Sequence, residues 1–428
     1  MEVIYSKACG VDVHKSFIVA VICDSTSITP KYLRKRFSTF NNDLIRFKDW
    51  LIDNDCQNVC MESTGKYYVP VYNALEGFIS NVVVANPKWV KAIKGEKDDN
   101  KDAKWIADLF KMGLVRSSYI PSKDFRILRE FTRYRYKLTN TKSSEKNRFT
   151  NALTVGNCKL DMVFTDIFGK SSQSIIDIIL NNDNFSDEDI ISCLRKNCKS
   201  SDEDILSSID GIQFTYEQKL RINLVKDHID YLNNQIDKLN NIIDILVEPY
   251  ESYIDLLCTI PGIKRNSAIG ILSEISNDMS QFKSHYRLTS WAGLTPGCNE
   301  SAGKKKSVKI SRAGVYLKPY LVEIAHNAVK DKTNSYYAKK FEKISKRRGK
   351  KRAYIAIARK ILVAIYHMFS TGEVWNPVDL ASVETPVKDR IKYTKNNFCG
   401  SLKQLLSLGL TSEELINLVN QNANNSLV

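Results

Sequence analysis

The sequence predicts an α/β amino-terminal domain, a long helical coiled-coil middle and a mostly α-helical carboxy-terminal domain with a helix-hairpin-helix-like element. Three observations carry this prediction. Short β-branched runs and amphipathic stretches alternate in the order β-β-β-α-β-α-β-α near the start of the chain. From Ile222 to Leu246 apolar residues then recur in an unbroken 3-4 spacing. Finally, Ile260-Pro261-Gly262-Ile263 is a tight turn between two helical patterns. At 428 residues the chain exceeds one ordinary domain. We divide it into residues 1–155, a helical linker and coiled coil over 156–249, a third region over 250–375 and a helical tail over 376–428.

Residues 8–21 contain two apolar runs joined by a tight turn, with Asp12 at the close of the first. Residues 32–37 supply a third strand, and Leu44, Ile45, Phe47, Trp50 and Leu51 fall at helical spacing within 41–52. A buried strand over 58–62 ends in Glu62. Ser63-Thr64-Gly65-Lys66 lacks the first glycine of a phosphate-binding loop and is not read as one. A helix over 68–75 and a strand over 81–87 complete the α/β pattern. Next, a polar loop runs into an amphipathic helix in which Asp99 and Asp102 stand three residues apart and so share a face.

Asp12, Glu62, Asp99 and Asp102 form a candidate four-carboxylate cluster for Mg²⁺ or Mn²⁺. Mutual repulsion disfavours such a gathering of acids unless a cation neutralises it. Taken singly, the same residues also read as a turn residue, in Asp12, and as helix caps, in Asp99 and Asp102.

Lys and Arg number 63 against 48 Asp and Glu, a net charge of +15, which favours a polyanionic partner such as nucleic acid. From 125 to 151, Arg126, Arg129, Arg133, Arg135 and Lys137 interleave with Phe131, Tyr134 and Tyr136. This pattern suits phosphate contacts with stacking on unpaired bases, and it equally suits a solvated charged face. Lys264 and Arg265 back the Pro-Gly turn, where helix-start amides can meet a phosphate. Further basic residues are Lys304, Lys305 and Lys306 after Ser301, and Arg347 and Arg348 within Ser-Lys-Arg-Arg-Gly-Lys-Lys-Arg. Residues 154–210 carry no readable chemistry, and an amphipathic helix is expected around 402–410. The heptad seam favours dimerisation over packing within the chain.

No stretch reaches the ~18 uncharged apolar residues of a spanning helix. The nearest, 353–369, is interrupted by Arg359, Lys360 and His367, and the first 20 residues carry four charges, so a cytoplasmic protein with no membrane partner is expected. The ten cysteines, including Cys56-x3-Cys60 and Cys193-x4-Cys198, lack zinc-site spacing and read as reduced thiols.

Two separated stretches resemble one family, the insertion-sequence transposases called IS one-ten, relatives of the Piv and MooV DNA invertases. The first carries Gly10-Val11-Asp12-Val13-His14-Lys15, Glu62-Ser63-Thr64-Gly65 and Asp99-Asn100-Lys101-Asp102-Ala103. The second carries Ile260-Pro261-Gly262-Ile263, Trp291-Ala292-Gly293-Leu294-Thr295-Pro296 and Glu300-Ser301-Ala302-Gly303-Lys304. The resemblance implies an RNase H-like, RuvC-like nuclease domain with a D-E-D-D metal set, followed by a transposase domain in which Ser301 attacks a DNA phosphodiester. It also implies a structured guide RNA, the so-called bridge RNA, DNA at the element's ends and target, and assembly as dimers or tetramers. Glu300 departs from the small residue usual before the family's serine. Asp98 beside Asp99 leaves a one-residue choice, made for Asp99 by the D-x-x-D-A spacing. The alternative is a metal-dependent nuclease of the Holliday-junction resolvase type, in which Ser301 is structural.

Overall fold

The computed structural model describes residues 3–27, 29–90, 99–182, 184–195, 198–296, 299–301, 304–307, 309–331, 335–377, Asp379 and a few positions between 395 and 416. The chain divides into two compact units, Met1–Ser122 and Lys123–Val428.

The first unit is built on β1 (Lys7–Val13), β2 (Phe17–Asp24), β3 (Lys31–Ser38), α1 (Asn41–Asp53), β4 (Asn58–Glu62), α2 (Tyr68–Leu75), β5 (Asn81–Ala85), α3 (Pro87–Val90) and α4 (Asp99–Lys111). This is the predicted element order with one short helix, α3, added after β5. The sheet runs β3-β2-β1-β4-β5. The first three strands are antiparallel, and β1, β4 and β5 are parallel. β1 is apolar on both sides, as a central strand covered on two faces must be. Cys9, Val11 and Val13 pack with Leu44, Phe47 and Leu51 of α1 and Val71 and Leu75 of α2. On the opposite face Ala8 and Cys60 pack with Ile106 and Phe110 of α4, and Val19 and Val21 pack with Ala103.

The second unit comprises α5 (Lys123–Val155), α6 (Leu160–Val163), α7 (Lys170–Asn181), α8 (Asp187–Ser192), α9 (Asp202–Ser207), α10 (Tyr216–Val247), α11 (Glu251–Cys258), α12 (Arg265–Ile275), α13 (His285–Trp291), β6 (Asn299–Ser301), β7 (Lys304–Ser307), α14 (Leu317–Lys330), α15 (Tyr336–Arg348) and α16 (Lys350–Thr371). α10 starts on a capping box, Thr215 with Gln218. It lies antiparallel to α5: Arg135 meets Asn240, and Glu145 meets His228. At one end of this pair Phe149 and Leu153 join Ile222 and Val225 in a core shared with α7 and α8. At the other end Phe125 and Leu128 join Ile243 and Val247 in the larger core of α11 to α16.

One expectation is corrected here. The heptad seam is a coiled coil within the chain: Ile222, Val225, Ile229, Leu232, Ile236, Leu239 and Ile243 are all buried in the single chain. The seam is therefore not a free surface for dimerisation. The basic helix α5, which the sequence reading places at the end of the first domain, packs on α10 and α12 and so belongs to the second compact unit by contact.

α16 is long and apolar enough to cross a membrane by length and composition alone. Its residues Ala353, Ile357, Ile361, Leu362 and Ile365 lie in the core of the second unit. Most of the expected helix at 402–410 lies outside the described residues.

Candidate active site and nucleic-acid-binding surface

The parallel register pairs Cys9 with Val59, Gly10 with Cys60 and Val11 with Met61. Carried one residue further, it sets Asp12 beside Glu62 at the carboxyl ends of two adjacent strands, on one face of the sheet. That face is the one α4 covers, because Ala8 and Cys60, which share the alternation with Asp12 and Glu62, pack against this helix.

Gly10 fixes the approach of α4. A Cβ at this position would lie 2.2 Å from Ala103 O and 2.3 Å from Ala107 N, so the helix backbone rests directly on the strand. α4 runs opposite to β1: Ala103 lies over Gly10 and Val19, whereas Phe110 reaches Tyr5 and Ala8. Its first turn, carrying Asp99 and Asp102, therefore sits at the end of the sheet where Asp12 and Glu62 stand. Asp102 is half-buried there. The side chain of Asp99 lies outside the described residues.

His14 is a participant the sequence reading left unassigned. Its Nε2 lies 3.0 Å from Asp12 Oδ2, and its ring stacks on Phe17 at 4.5 Å. The turn between β1 and β2, closed by His14 N–H donating to Phe17 O, places it there. The Asp-x-His spacing in the quoted motif was the available signal.

A hard, all-oxygen donor set on one face suits a divalent cation such as Mg²⁺. Among the described residues, no three ligating side chains are gathered to hold a metal ion. A second polar cluster in this unit is structural. Lys111 Nζ meets Asp108 Oδ1 at 2.9 Å and Cys23 Sγ at 3.2 Å, and Tyr32 OH donates to Asp108 Oδ1 at 2.9 Å, which ties α4 to β2 and β3.

In the second unit Ser301 ends β6 and pairs with Lys304 of β7 in an antiparallel hairpin. Ala302 and Gly303 between them, and the side chains of Ser301, Lys304, Lys305 and Lys306, lie outside the described residues. The base of the hairpin is closed by pairing of Pro296 with Ile310. Below that, two left-handed glycines cross. A Cβ on Gly293 would lie 2.5 Å from Ala313 O, and one on Gly314 would lie 2.2 Å from Ala292 O. Ala292 and Leu294 are buried, and Trp291 packs on Phe282. The Trp-Ala-Gly-Leu-Thr-Pro motif is thus the anchored root of the strand that carries Ser301.

The basic residues divide into two groups. Arg129 donates to the carbonyls of Ser273 and Glu274 at 3.0 and 2.6 Å. Arg133 forms a fork on the buried Glu274 carboxylate at 2.7 and 2.8 Å, with its guanidinium over the Tyr316 ring. Arg135 is buried and donates to Asn240 and Asn266. These three arginines clamp α5 to α10 and α12, correcting their assignment to nucleic acid. Arg265 is also engaged, bonding Glu251 at 2.6 and 2.7 Å and Asp244 at 3.1 Å. These bonds hold the Glu251 carboxyl below its usual range.

Gly262, with φ +86°, faces α14: a Cβ there would lie 2.6 Å from Ala328 N. The Pro-Gly turn expected to meet a phosphate thus packs inward at its glycine. Arg126 is half-buried, and Lys264 is exposed at the start of α12. Lys137, Arg347 and Arg348 are exposed and form no ion pair among the described residues.

A family model described as Transposase matches residues 9–156, and one described as Transposase IS116/IS110/IS902 family matches residues 254–341. No curated protein matches the chain significantly. The first match spans the acidic face and implies a RuvC-like domain that uses a divalent metal, while the second spans the Pro-Gly turn and the Ser301 hairpin. The chain belongs to the IS110 family of transposases, enzymes that cut and recombine DNA.

Proposed function

We propose that this transposase excises and inserts a mobile element with two chemical parts: an Mg²⁺-binding acidic face, Asp12, Glu62, Asp99 and Asp102, and a nucleophile, Ser301. The observation that carries the reading is the in-register placement of Asp12 and Glu62 beneath the acidic first turn of α4. When bound, the metal supplies positive charge for the attacking or departing oxygen. His14 holds the Asp12 carboxylate in place.

Ser301 Oγ gives up its hydroxyl proton and attacks phosphorus, a serine–phosphate ester forms as the phosphorus–oxygen bond to the departing strand breaks, and that strand's oxygen leaves with the electron pair and takes up one proton, so the exchange is balanced. The ester conserves the bond energy for rejoining. The Lys304 to Lys306 run on the paired strand supports neutralisation of the phosphate oxygens.

A structured guide RNA that pairs with DNA would supply sequence choice, with Lys137, Lys264, Arg347 and Arg348 as the exposed cations available to backbones. Assembly into dimers or tetramers has support in a second apolar stripe on α10. Tyr216, Leu220, Leu224, Tyr231, Ile242 and Ile245 are exposed and recur on one side, away from the seam buried on α5.

The test is a denaturing gel of full-length protein with Mg²⁺, co-expressed RNA and DNA spanning the element's ends, followed by peptide mapping. A protein–DNA adduct mapped to Ser301 and lost in Ser301→Ala is expected. Metal-dependent cutting that persists in Ser301→Ala without any adduct would replace the serine mechanism with that of a resolvase-type nuclease.

A further inference from the structure

A cavity of about 730 Å³ opens among α13, α15, α16 and segment 373–377 of the second unit, within the ~300–1,000 Å³ range of small-ligand sites. No part of the proposed serine and metal chemistry uses it. One wall is aromatic and already fixed. Trp375 donates its indole N–H to Tyr337 OH at 3.1 Å and its backbone N–H to Thr259 Oγ1 at 3.1 Å. Its ring meets that of Tyr336 edge-on at 5.5 Å. Elsewhere in the lining, the His285 ring lies 4.1 Å from Tyr286 and 5.2 Å from His367.

The remaining chemistry is cationic. Arg359 and Lys360 line the cavity and form no hydrogen bond or ion pair through their side chains among the described residues. The Arg129, Arg133, Arg135 and Arg265 side chains, by contrast, are all engaged. Asp379, a carboxylate that pulls on Lys360, is occupied by Tyr336 OH at 2.7 Å and by Lys340; Glu373 is exposed in the lining. Burial pushes the Lys360 ammonium below its ordinary value, with Lys340 and Arg359 adding repulsion against the pull of Asp379. Burial likewise lowers His285, helped by His367 and Arg359. Positive charge is thus held together against its own repulsion beside rigid π surfaces, an arrangement that a phosphate and a base would relieve together.

We propose that this cavity is a nucleotide pocket, which takes one unpaired nucleotide with its base against the aromatic wall and its phosphate on Arg359 and Lys360. The ligand chemistry is an aromatic base joined to a phosphate, carried either on an unpaired stretch of a strand or by a free nucleotide. The proposal rests on the reading of the chain as a nucleic-acid enzyme and is independent of Ser301.

The experiment uses the full-length protein and compares Arg359→Gln and Lys360→Gln with wild type. The probes are a short fluorescent single strand, the blunt duplex of the same length, and AMP as competitor. Single-strand affinity is expected to fall about tenfold in each variant, the loss of one charge-assisted contact, while duplex affinity stays within about twofold. Competition by AMP assigns the pocket to free nucleotides as well; a single-strand defect without AMP competition assigns it to strand-borne ones.

A single strand carrying 5-iodouracil should cross-link on irradiation to the peptide bearing Tyr286 or to that bearing Trp375. If the variants melt like wild type, bind both single strand and AMP like wild type, and cross-links map elsewhere, the pocket is overturned. Should Arg359→Gln prove unfolded, Lys360→Gln decides alone. Wild-type protein that binds no nucleic acid at all would instead sink the proposed function.

Discussion

Replacing Gly10 by alanine should uncouple the acidic residues while leaving every one of them in place. The added methyl carbon would sit 2.2 Å from Ala103 O and 2.3 Å from Ala107 N, whereas ordinary contact begins near 3.4 Å. Backbone atoms cannot rotate away as a side-chain tip can, so α4 must retreat from β1 by about 1.2 Å. Asp102 moves with the helix, whereas Asp12 and Glu62 stay with the strands. Overpacking of this kind costs ~1–3 kcal/mol of stability. A displacement of about 1 Å between catalytic groups costs ~100-fold in rate. The assay pairs metal-dependent DNA cleavage with thermal melting and calorimetric Mg²⁺ titration. The expected result is a variant that stays folded at the assay temperature, binds Mg²⁺ more weakly and cuts about 100-fold more slowly. Wild-type cleavage and wild-type Mg²⁺ affinity in Gly10→Ala would refute the placement of α4's acidic turn over Asp12 and Glu62.

Three further outcomes are expected. Glu274→Ala removes a carboxylate whose side chain is 4% exposed and leaves Arg133 without its fork. Breaking a fully buried pair costs ~3–5 kcal/mol, and because the Arg133 side chain is 38% exposed a loss of about 2 kcal/mol in denaturant melts is expected; a change under ~0.5 kcal/mol would return Arg133 to the nucleic-acid surface. At alkaline pH the first unit should weaken. Tyr32 is pushed up to about 12 by burial and by its bond to Asp108, and Lys111 is raised because Asp108 and Cys23 outweigh the opposing effect of burial. Both folded values lie above the unfolded ones, so their stability is complete below about pH 10 and is lost as pH rises through about 12. A melting temperature that does not fall across that interval, or falls equally in Tyr32→Phe, would count against the cluster. Finally, Leu224→Glu with Ile245→Glu should lower the mass measured by light scattering, and an unchanged oligomer would clear the outer stripe of α10.

The sheet was legible because strand and helix periods change cleanly along residues 8–87. The strand Asn58–Glu62 and helix Tyr68–Leu75 fall where the pattern put them, and the third strand extends one residue beyond each end of 32–37. The four acids were legible as residue types at strand ends and on one helix face. What set their geometry was not. Gly10 reads as a small residue in a strand until Ala103, far along the chain, is seen to rest on it. His14 was visible two residues from Asp12, yet a histidine after an aspartate says nothing of where its ring points until the turn to Phe17 closes. The small helices α6, α8 and α9 escaped because each is too short to show a period, whereas α7 carries Ile175, Ile176, Ile179 and Leu180 at helical spacing and was legible but passed over; the apolar residues of all four form a shared core with α5 and α10.

The arginines of α5 show why charge alone misleads. Arg126, Arg129, Arg133, Arg135 and Lys137 form one basic run, and no spacing rule separates those that face solvent from those that face protein. What separates them is a partner: Glu274 lies 141 residues from Arg133, and Asn240 lies 105 from Arg135. A heptad seam has the same defect, since it shows that a helix needs a partner and not which chain supplies it. Ile222 to Ile243 found theirs in α5, which cannot pack on α10 and α12 without burying the side of itself that carries Arg129, Arg133 and Arg135. The two corrections are therefore one event. Once α10 claims α5, those arginines must find acceptors inside the protein or leave charge unpaired in the interior. The open side of α5 then keeps only residues such as Lys137 exposed to a partner.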